Sequence, residues 1–268
     1  MSVKRSKILI VAASLLLISL LTVAVLESFI SPPMVISSRS MQHDDNKSEL
    51  GILDTGDLVI IDYQKEPSEI MTYAQSVSEG YTQFGEYGDV VLYRTDLSDI
   101  PIIHRAICRI IYNGDGTFSI PELSLLPRDM WSTPNGGWEN LKGVVYLYNI
   151  GFKNTTVPID LDKILKKMGN DPHGGFLTMG DNNTGDTRLG TIGYIDQTSL
   201  SSVDSPILDE DIIGVATAEI PWVGVLKLTV SGNAPDYLPL NSVVFLTAAV
   251  STGTLCIAAA FIILKRRI

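Results

Sequence analysis

The sequence predicts a mainly β domain held between one N-terminal and one C-terminal transmembrane helix. Three observations lead there. Two apolar runs, residues 8–30 and 243–264, are each long enough to cross about 30 Å of hydrocarbon at about 1.5 Å per residue. Between them, short segments rich in β-branched and aromatic residues are separated by Gly, Asn, Asp and Pro turns. Basic residues gather at the chain ends: Lys4, Arg5 and Lys7 precede the first run, and Lys265, Arg266 and Arg267 follow the second. Positive flanks stay cytoplasmic. The expected order is therefore a cytoplasmic tail (1–7), a span (8–30), an extracytoplasmic domain (31–242), a second span (243–264) and a second tail (265–268). That is a two-pass protein of the plasma membrane, or of the endoplasmic reticulum membrane in a eukaryote. The first run carries only Glu27 and exceeds the core of a cleavable signal peptide, so it is expected to stay as an anchor.

Within the domain, residues 58–61, 90–93, 102–112, 143–148, 212–216 and 223–230 read as strands. Asn113-Gly114-Asp115-Gly116 predicts a hairpin turn over residues 113–117. Two segments read as helices. Residues 67–78 open on a proline, and residues 158–168 place Ile159, Leu161, Ile164, Leu165 and Met168 at helical spacing. Gly56-Asp57-Leu58-Val59 and Gly88-Asp89-Val90-Val91 share one form, a turn feeding a buried strand. Stretches near 63–87 and 113–174 read as insertions into the β domain.

The net charge is −10, and the basic residues at the chain ends leave the domain itself more acidic still. This argues against a nucleic acid as partner, because phosphate backbones are bound through basic surface. Only two cysteines occur, Cys108 in the domain and Cys256 in the second apolar run, so neither a disulfide framework nor a zinc set is expected.

Residues able to do chemistry follow in order. Ser38-Arg39-Ser40-Met41 offers two hydroxyls two positions apart. A serine hydroxyl becomes a useful nucleophile when a base takes its proton and donors hold the oxyanion. Ile103-His104-Arg105 supplies an imidazole, whose ordinary pKa suits that task. Gly180-Asp181-Asn182-Asn183-Thr184-Gly185-Asp186 ends a strand in a tight turn with two carboxylates, one of which can orient an imidazole. Taken singly, these are a serine-rich linker, a strand histidine, and turn aspartates or a calcium loop. His43 and His173 stand outside such a context and are expected to be dispensable.

Together and in this order, the pieces resemble the type I signal peptidases, in the Ser–His branch found in archaea and the endoplasmic reticulum. The likeness covers about residues 8–224 without the two insertions, and takes in the two Gly-Asp boxes and Ile220-Pro221-Trp222-Val223-Gly224. It implies a signal-peptidase-like β fold, with Ser40 as nucleophile and His104 as base where bacterial relatives place lysine. Ser38 and the Ser40 backbone N–H would hold the oxyanion. Asp186 is assigned to His104 and Asp181 to bracing the loop, with the exchanged assignment open. No metal or organic cofactor is implied. One departure is that Met41-Gln42-His43-Asp44 lacks the proline usual in the family, which bears on the geometry of this loop.

The function so implied is a membrane-bound serine endopeptidase that cuts signal peptides from exported preproteins after small-x-small sites. Its partners would be those signal peptides, the lipid bilayer and the protein export machinery, with no nucleic acid. The alternatives are an inactive or membrane-tethered binding domain on the same scaffold, and a Ser–His peptidase with prepilin-like or pro-protein substrates.

Overall fold

A computed structural model describes residues 34–188, 190–249, 251 and 252. The chain runs through β1 (Met34–Val35), β2 (Leu58–Asp62), a 3-10 turn at Pro67–Glu69, α1 (Tyr73–Glu79), the hairpin β3 (Thr82–Gln83) and β4 (Glu86–Tyr87), β5 (Val90–Thr95) and the long β6 (Ser98–Tyr112). Then come β7 (Phe118–Ser119), β8 (Trp131–Ser132), β9 (Val144–Ile150), β10 (Thr155–Asp160) and α2 (Leu161–Met168). β11 (Gly175–Met179), β12 (Thr184–Thr187), β13 (Gly190–Gly193), α3 (Asp196–Ser199), β14 (Ile212–Ile220) and α4 (Gly224–Val230) complete the set.

The main sheet has the order β1-β2-β14-β5-β6-β11, with β7 added to β6, and a second sheet has the order β12-β13-β10-β9-β8. β5 shows why the main sheet is buried on both faces. Successive side chains on a strand point to opposite sides. Val90 and Leu92 join Ile36, Met41, Val59 and Ile61, while Val91 and Tyr93 join Ala106, Phe176, Ile207 and Val215. A third cluster packs Ile107, Leu177 and Met179 of the main sheet against Val145, Leu147, Val157 and Ile159 of the second, with Ile164 from α2. The 63–87 stretch takes part in this packing, since Tyr73 and Ala74 of α1 belong to the same cluster. Gly88 lies beneath α1 at φ +86°, where a Cβ would stand 2.7 Å from the Tyr73 nitrogen, so only glycine fits the turn into β5.

The predicted strands at 58–61, 90–93, 102–112, 143–148 and 212–216 correspond to β2, β5, β6, β9 and β14. The predicted turn joins β6 to β7, with the Asn113 N–H donating to the Thr117 carbonyl at 3.0 Å.

Other expectations need correction. The membrane-spanning architecture is the largest: among the described residues no helix is long and apolar enough to cross a membrane. The fold is a mainly β structure with short helices, α1 to α4 spanning four to eight residues each. The run at 8–30 lies outside the described residues. Of 243–264, only 243–249, 251 and 252 are described, and 240–249 form a helix. Residues 223–230 are not a strand but contain α4. Trp222 takes φ +65°, which ends the extended chain, and its N–H is held by the Asp57 carboxylate at 2.8 Å. Val225 and Leu228 are then buried one helical turn apart. Packing thus overrides a β-branched composition. Finally, the predicted helix at 67–78 is broken. α1 starts only at Tyr73, where Thr72 and Gln75 form a capping box.

A buried carboxyl cluster ties the loop before β2 to the end of β14. Asp54 accepts from the Glu49 N–H, Asp57 accepts from the Asp54 N–H at 2.8 Å, and Glu219 accepts from the Gly51 N–H at 2.6 Å. Burial pushes Asp54 up to about 8, with repulsion from Asp57 and Glu219 adding to it, and pushes Asp57 to about 6 and Glu219 to about 7. Carboxyls raised in the folded state favour folding when protonated. Their contribution is complete below the ordinary value near 4 and is lost as pH rises toward the folded value. The melting temperature is therefore expected to fall between pH 5 and pH 8, and Asp54→Asn is expected to flatten that slope. A pH-independent melting temperature in the wild type would contradict this.

Candidate active site

The Ser40 turn is built from both sides. Upstream, the Ile36 N–H donates to the Asp57 carbonyl at 2.9 Å, and Thr55 Oγ1 donates to the Ser38 carbonyl at 2.9 Å. Downstream, Met41 is buried in the core and the Gln42 N–H closes a turn onto the Arg39 carbonyl at 3.1 Å. Between these anchors Ser40 turns its hydroxyl toward β6. Ser38 Oγ lies 3.0 Å from Ser40 Oγ.

β6 carries His104, paired with Val91 of β5, and buries it. His104 Nε2 lies 2.8 Å from Ser40 Oγ, and Nδ1 lies 2.7 Å from Asp196 Oδ2. Asp196 is fully buried at the start of α3. The Tyr93 hydroxyl also donates to Oδ2, at 2.8 Å, and itself accepts from Thr178 Oγ1 at 3.1 Å. The Gln197 side chain closes the chain, donating to Thr178 Oγ1 at 3.2 Å. Burial, reinforced by the Asp196 charge, holds the Tyr93 phenol well above its ordinary pKa, so it remains a donor.

The carboxylate assignment from sequence needs correction here. Asp186 does not meet His104. It lies exposed on β12, paired with Thr191 of β13, whose hydroxyl donates to it at 3.0 Å. The chain makes the β12–β13 hairpin before it reaches the carboxylate that faces the imidazole, and a short fixed spacing within one loop cannot anticipate that excursion. The available signal was the turn-rich Thr184-to-Gly193 stretch, which reads as a hairpin and displaces any partner to its far side.

Asp181 stands beside the Ser40–His104–Asp196 chain rather than in it. β11 pairs with β6 so that Met179 is opposite Arg105, which delivers Gly180 and Asp181 next to His104. Asp181 receives Arg105 Nε at 2.7 Å and Nη2 at 2.6 Å, and His43 Nε2 lies 3.1 Å from it. Burial alone would raise the Asp181 carboxyl, but the Arg105 guanidinium and His43 together hold the pKa below the usual carboxylate range. Arg105, itself fully buried, also donates to the Gly88 carbonyl at 2.6 Å and the Gln83 carbonyl at 3.0 Å. The sequence reading gave Arg105 no role of its own and expected His43 to be dispensable.

Gly180 is squeezed between Ser40 and His104. A Cβ there would stand 2.6 Å from the Ser40 carbonyl oxygen and 2.9 Å from His104 Nε2. The next residue but one, Asn182, donates its N–H to the same Ser40 carbonyl at 2.8 Å. Gly180→Ala is expected to displace the loop and cut turnover by about 10²-fold, the scale of an ångström misplacement. Activity assays check this, and undiminished turnover would contradict the close packing.

An apolar groove of about 420 Å³ opens at Ser40 and His104. Met34 and Ile36 form one wall, and Pro101 and Ile103 of β6 form the other. Among the described residues no group of three or more His, Cys, Asp or Glu side chains is placed to hold a metal ion.

No family model matches the chain. It is 34% identical over 90 residues to the signal peptidase complex catalytic subunit of Pyricularia oryzae, a match over 33% of this chain and 45% of that protein. The similarity is to signal peptidase catalytic subunits. The corresponding subunit of Neurospora crassa is 32% identical over 93 residues, covering 35% of this chain and 47% of the relative. The chain thus spans less than half the length of either curated relative, and the likeness to signal peptidases in the motifs is matched by measured sequence similarity.

Proposed function

We propose that this protein is a serine endopeptidase that removes signal peptides from exported preproteins. One observation carries the reading: Ser40, His104 and Asp196 form an unbroken hydrogen-bonded chain of 2.8 and 2.7 Å at the mouth of an apolar groove. His104 Nε2 takes the hydroxyl proton as Ser40 Oγ attacks the scissile carbonyl, then returns it to the leaving amine. Asp196 holds Nδ1–H and stabilises the imidazolium between those steps. The Ser40 N–H and the Ser38 hydroxyl are the donors offered to the oxyanion. Water, deprotonated by the same imidazole, then releases the acyl enzyme.

The substrate is read as an extended strand laid between β1, at the edge of the sheet, and the N-terminal half of β6. Shallow apolar walls there suit small residues before the cut. Exposed Leu226, Val230, Leu240 and Val244 on α4 and the 240–249 helix, whose segments meet through Trp222 and Phe245, suit a lipid surface nearby. The intact hydrogen-bonded chain favours this reading over an inactive scaffold.

The test is incubation of a preprotein with wild type and Ser40→Ala, followed by N-terminal sequencing of the product. A single new N-terminus after a small-x-small site, absent with Ser40→Ala, is the expected result. Equal cleavage by both would overturn the proposal.

A further inference from the structure

A second connected set of side chains, His43, Asp181 and Arg105, lies beside Ser40 and His104. Arg105 follows His104 on β6, Asp181 follows Gly180 in the loop that touches Ser40, and His43 comes directly after the Arg39–Gln42 turn that holds Ser40. We propose that His43 is a positioning residue for Ser40, clamping the nucleophile turn to the buried Arg105–Asp181 pair. The proposal rests on the reading of Ser40 as nucleophile.

The clamp has two jaws. His43 Nε2 meets Asp181 Oδ2 at 3.1 Å, and the imidazole lies flat on the Phe152 ring, with centroids 4.1 Å apart and planes 13° apart. The base it grips is rigid, because Arg105 and Asp181 share two hydrogen bonds and both are buried. Arg105 extends the grip to the Gly88 and Gln83 carbonyls, so the 63–87 stretch supports the site from behind. After His43 the chain turns, with Asp44 Oδ1 accepting the Asn46 and Lys47 N–H groups at 2.8 and 3.0 Å, while Asp45 still accepts from the Asn182 side chain at 3.3 Å.

The turn needs such a hold. No proline stiffens Met41-Gln42-His43-Asp44, and the Ser40–His104 contact of 2.8 Å leaves little tolerance for drift. Met41 fixes the turn to the core and Thr55 fixes its upstream side. His43 fixes the downstream side to the same loop whose Asn182 N–H binds the Ser40 carbonyl. Removing the clamp therefore loosens the nucleophile without touching the substrate groove.

The test uses the full chain with His43→Ala, His43→Gln and His43→Phe. Three quantities are measured: kcat and KM on a preprotein, the rate of Ser40 phosphonylation by a fluorophosphonate, and the melting temperature. His43→Ala is expected to lower kcat and the phosphonylation rate together by about 10- to 100-fold with KM little changed. His43→Gln, whose amide can still donate to Asp181, is expected to recover part of both rates, and more than His43→Phe, which keeps only the stacking. A merely structural role would lower the melting temperature and leave the phosphonylation rate of folded protein at the wild-type value. That result, or equal rates in all three variants and wild type, would overturn the clamp. Failure of the wild type itself to be labelled at Ser40 would instead overturn the underlying reading, and the clamp with it.

Discussion

Asp196→Asn is expected to lower kcat by about 10⁴ in a protein that still folds, because loss of the carboxylate beside His104 changes the imidazole tautomer while leaving its place intact. Asp196 Oδ2 accepts both the His104 Nδ1–H and the Tyr93 hydroxyl. An asparagine amide in that position offers N–H to Nδ1 instead. The ring proton then moves to Nε2, which can no longer accept the Ser40 proton. Tyr93 donates to the same Oδ2 position and loses its acceptor there, so a lower melting temperature is expected beside the loss of turnover. Asp186→Asn, on the exposed β12 strand, is expected to leave kcat unchanged. Turnover and melting measured on the same purified variants separate the two carboxylates. Loss of activity in Asp186→Asn with full activity in Asp196→Asn would reverse the assignment.

The second large effect concerns stability. Asp181→Ala leaves the Arg105 guanidinium buried without its counter-charge, and breaking such a pair on one side costs about 3–5 kcal/mol. Urea unfolding of the wild type and the variant measures it. A loss under about 1 kcal/mol, the scale of an exposed pair, would contradict the burial of this one. The pH dependence has a definite sign. The Asp181 carboxyl is held below its ordinary 3.8 in the folded protein. Its contribution is present above that value and is lost as pH falls through the lower folded value. This is opposite to the Asp54 cluster, whose contribution is lost as pH rises. Asp181→Asn should therefore change acid unfolding, while Asp54→Asn should change the neutral range.

What was legible in the sequence is what depends on local pattern. β2, β5, β6, β9 and β14 are short runs of β-branched and aromatic residues bounded by turn residues, and composition alone marks them. Ser40 and His104 could be singled out only from their motifs taken together and in order, and the structure brings the two within 2.8 Å. α4 was not legible, because its apolar β-branched residues look like a strand until Trp222 and Asp57 break the extended chain. Asp196 was hidden by the β12–β13 hairpin that separates it from the Gly180–Asp181 turn. His43 was unreadable for a different reason: its partner lies 138 positions away, and its stacking on Phe152 depends on how the β9–β10 connection folds back. Roles set by contacts between distant segments leave no local mark.

The central claim is that Ser40 is a nucleophile activated by His104 and Asp196. It is tested most directly by reaction with a fluorophosphonate and identification of the modified residue by tandem mass spectrometry. The predicted result is one phosphonyl group per chain, on Ser40, absent in Ser40→Ala and abolished in His104→Ala. Modification of another hydroxyl, or undiminished labelling of Ser40 in His104→Ala, would contradict it.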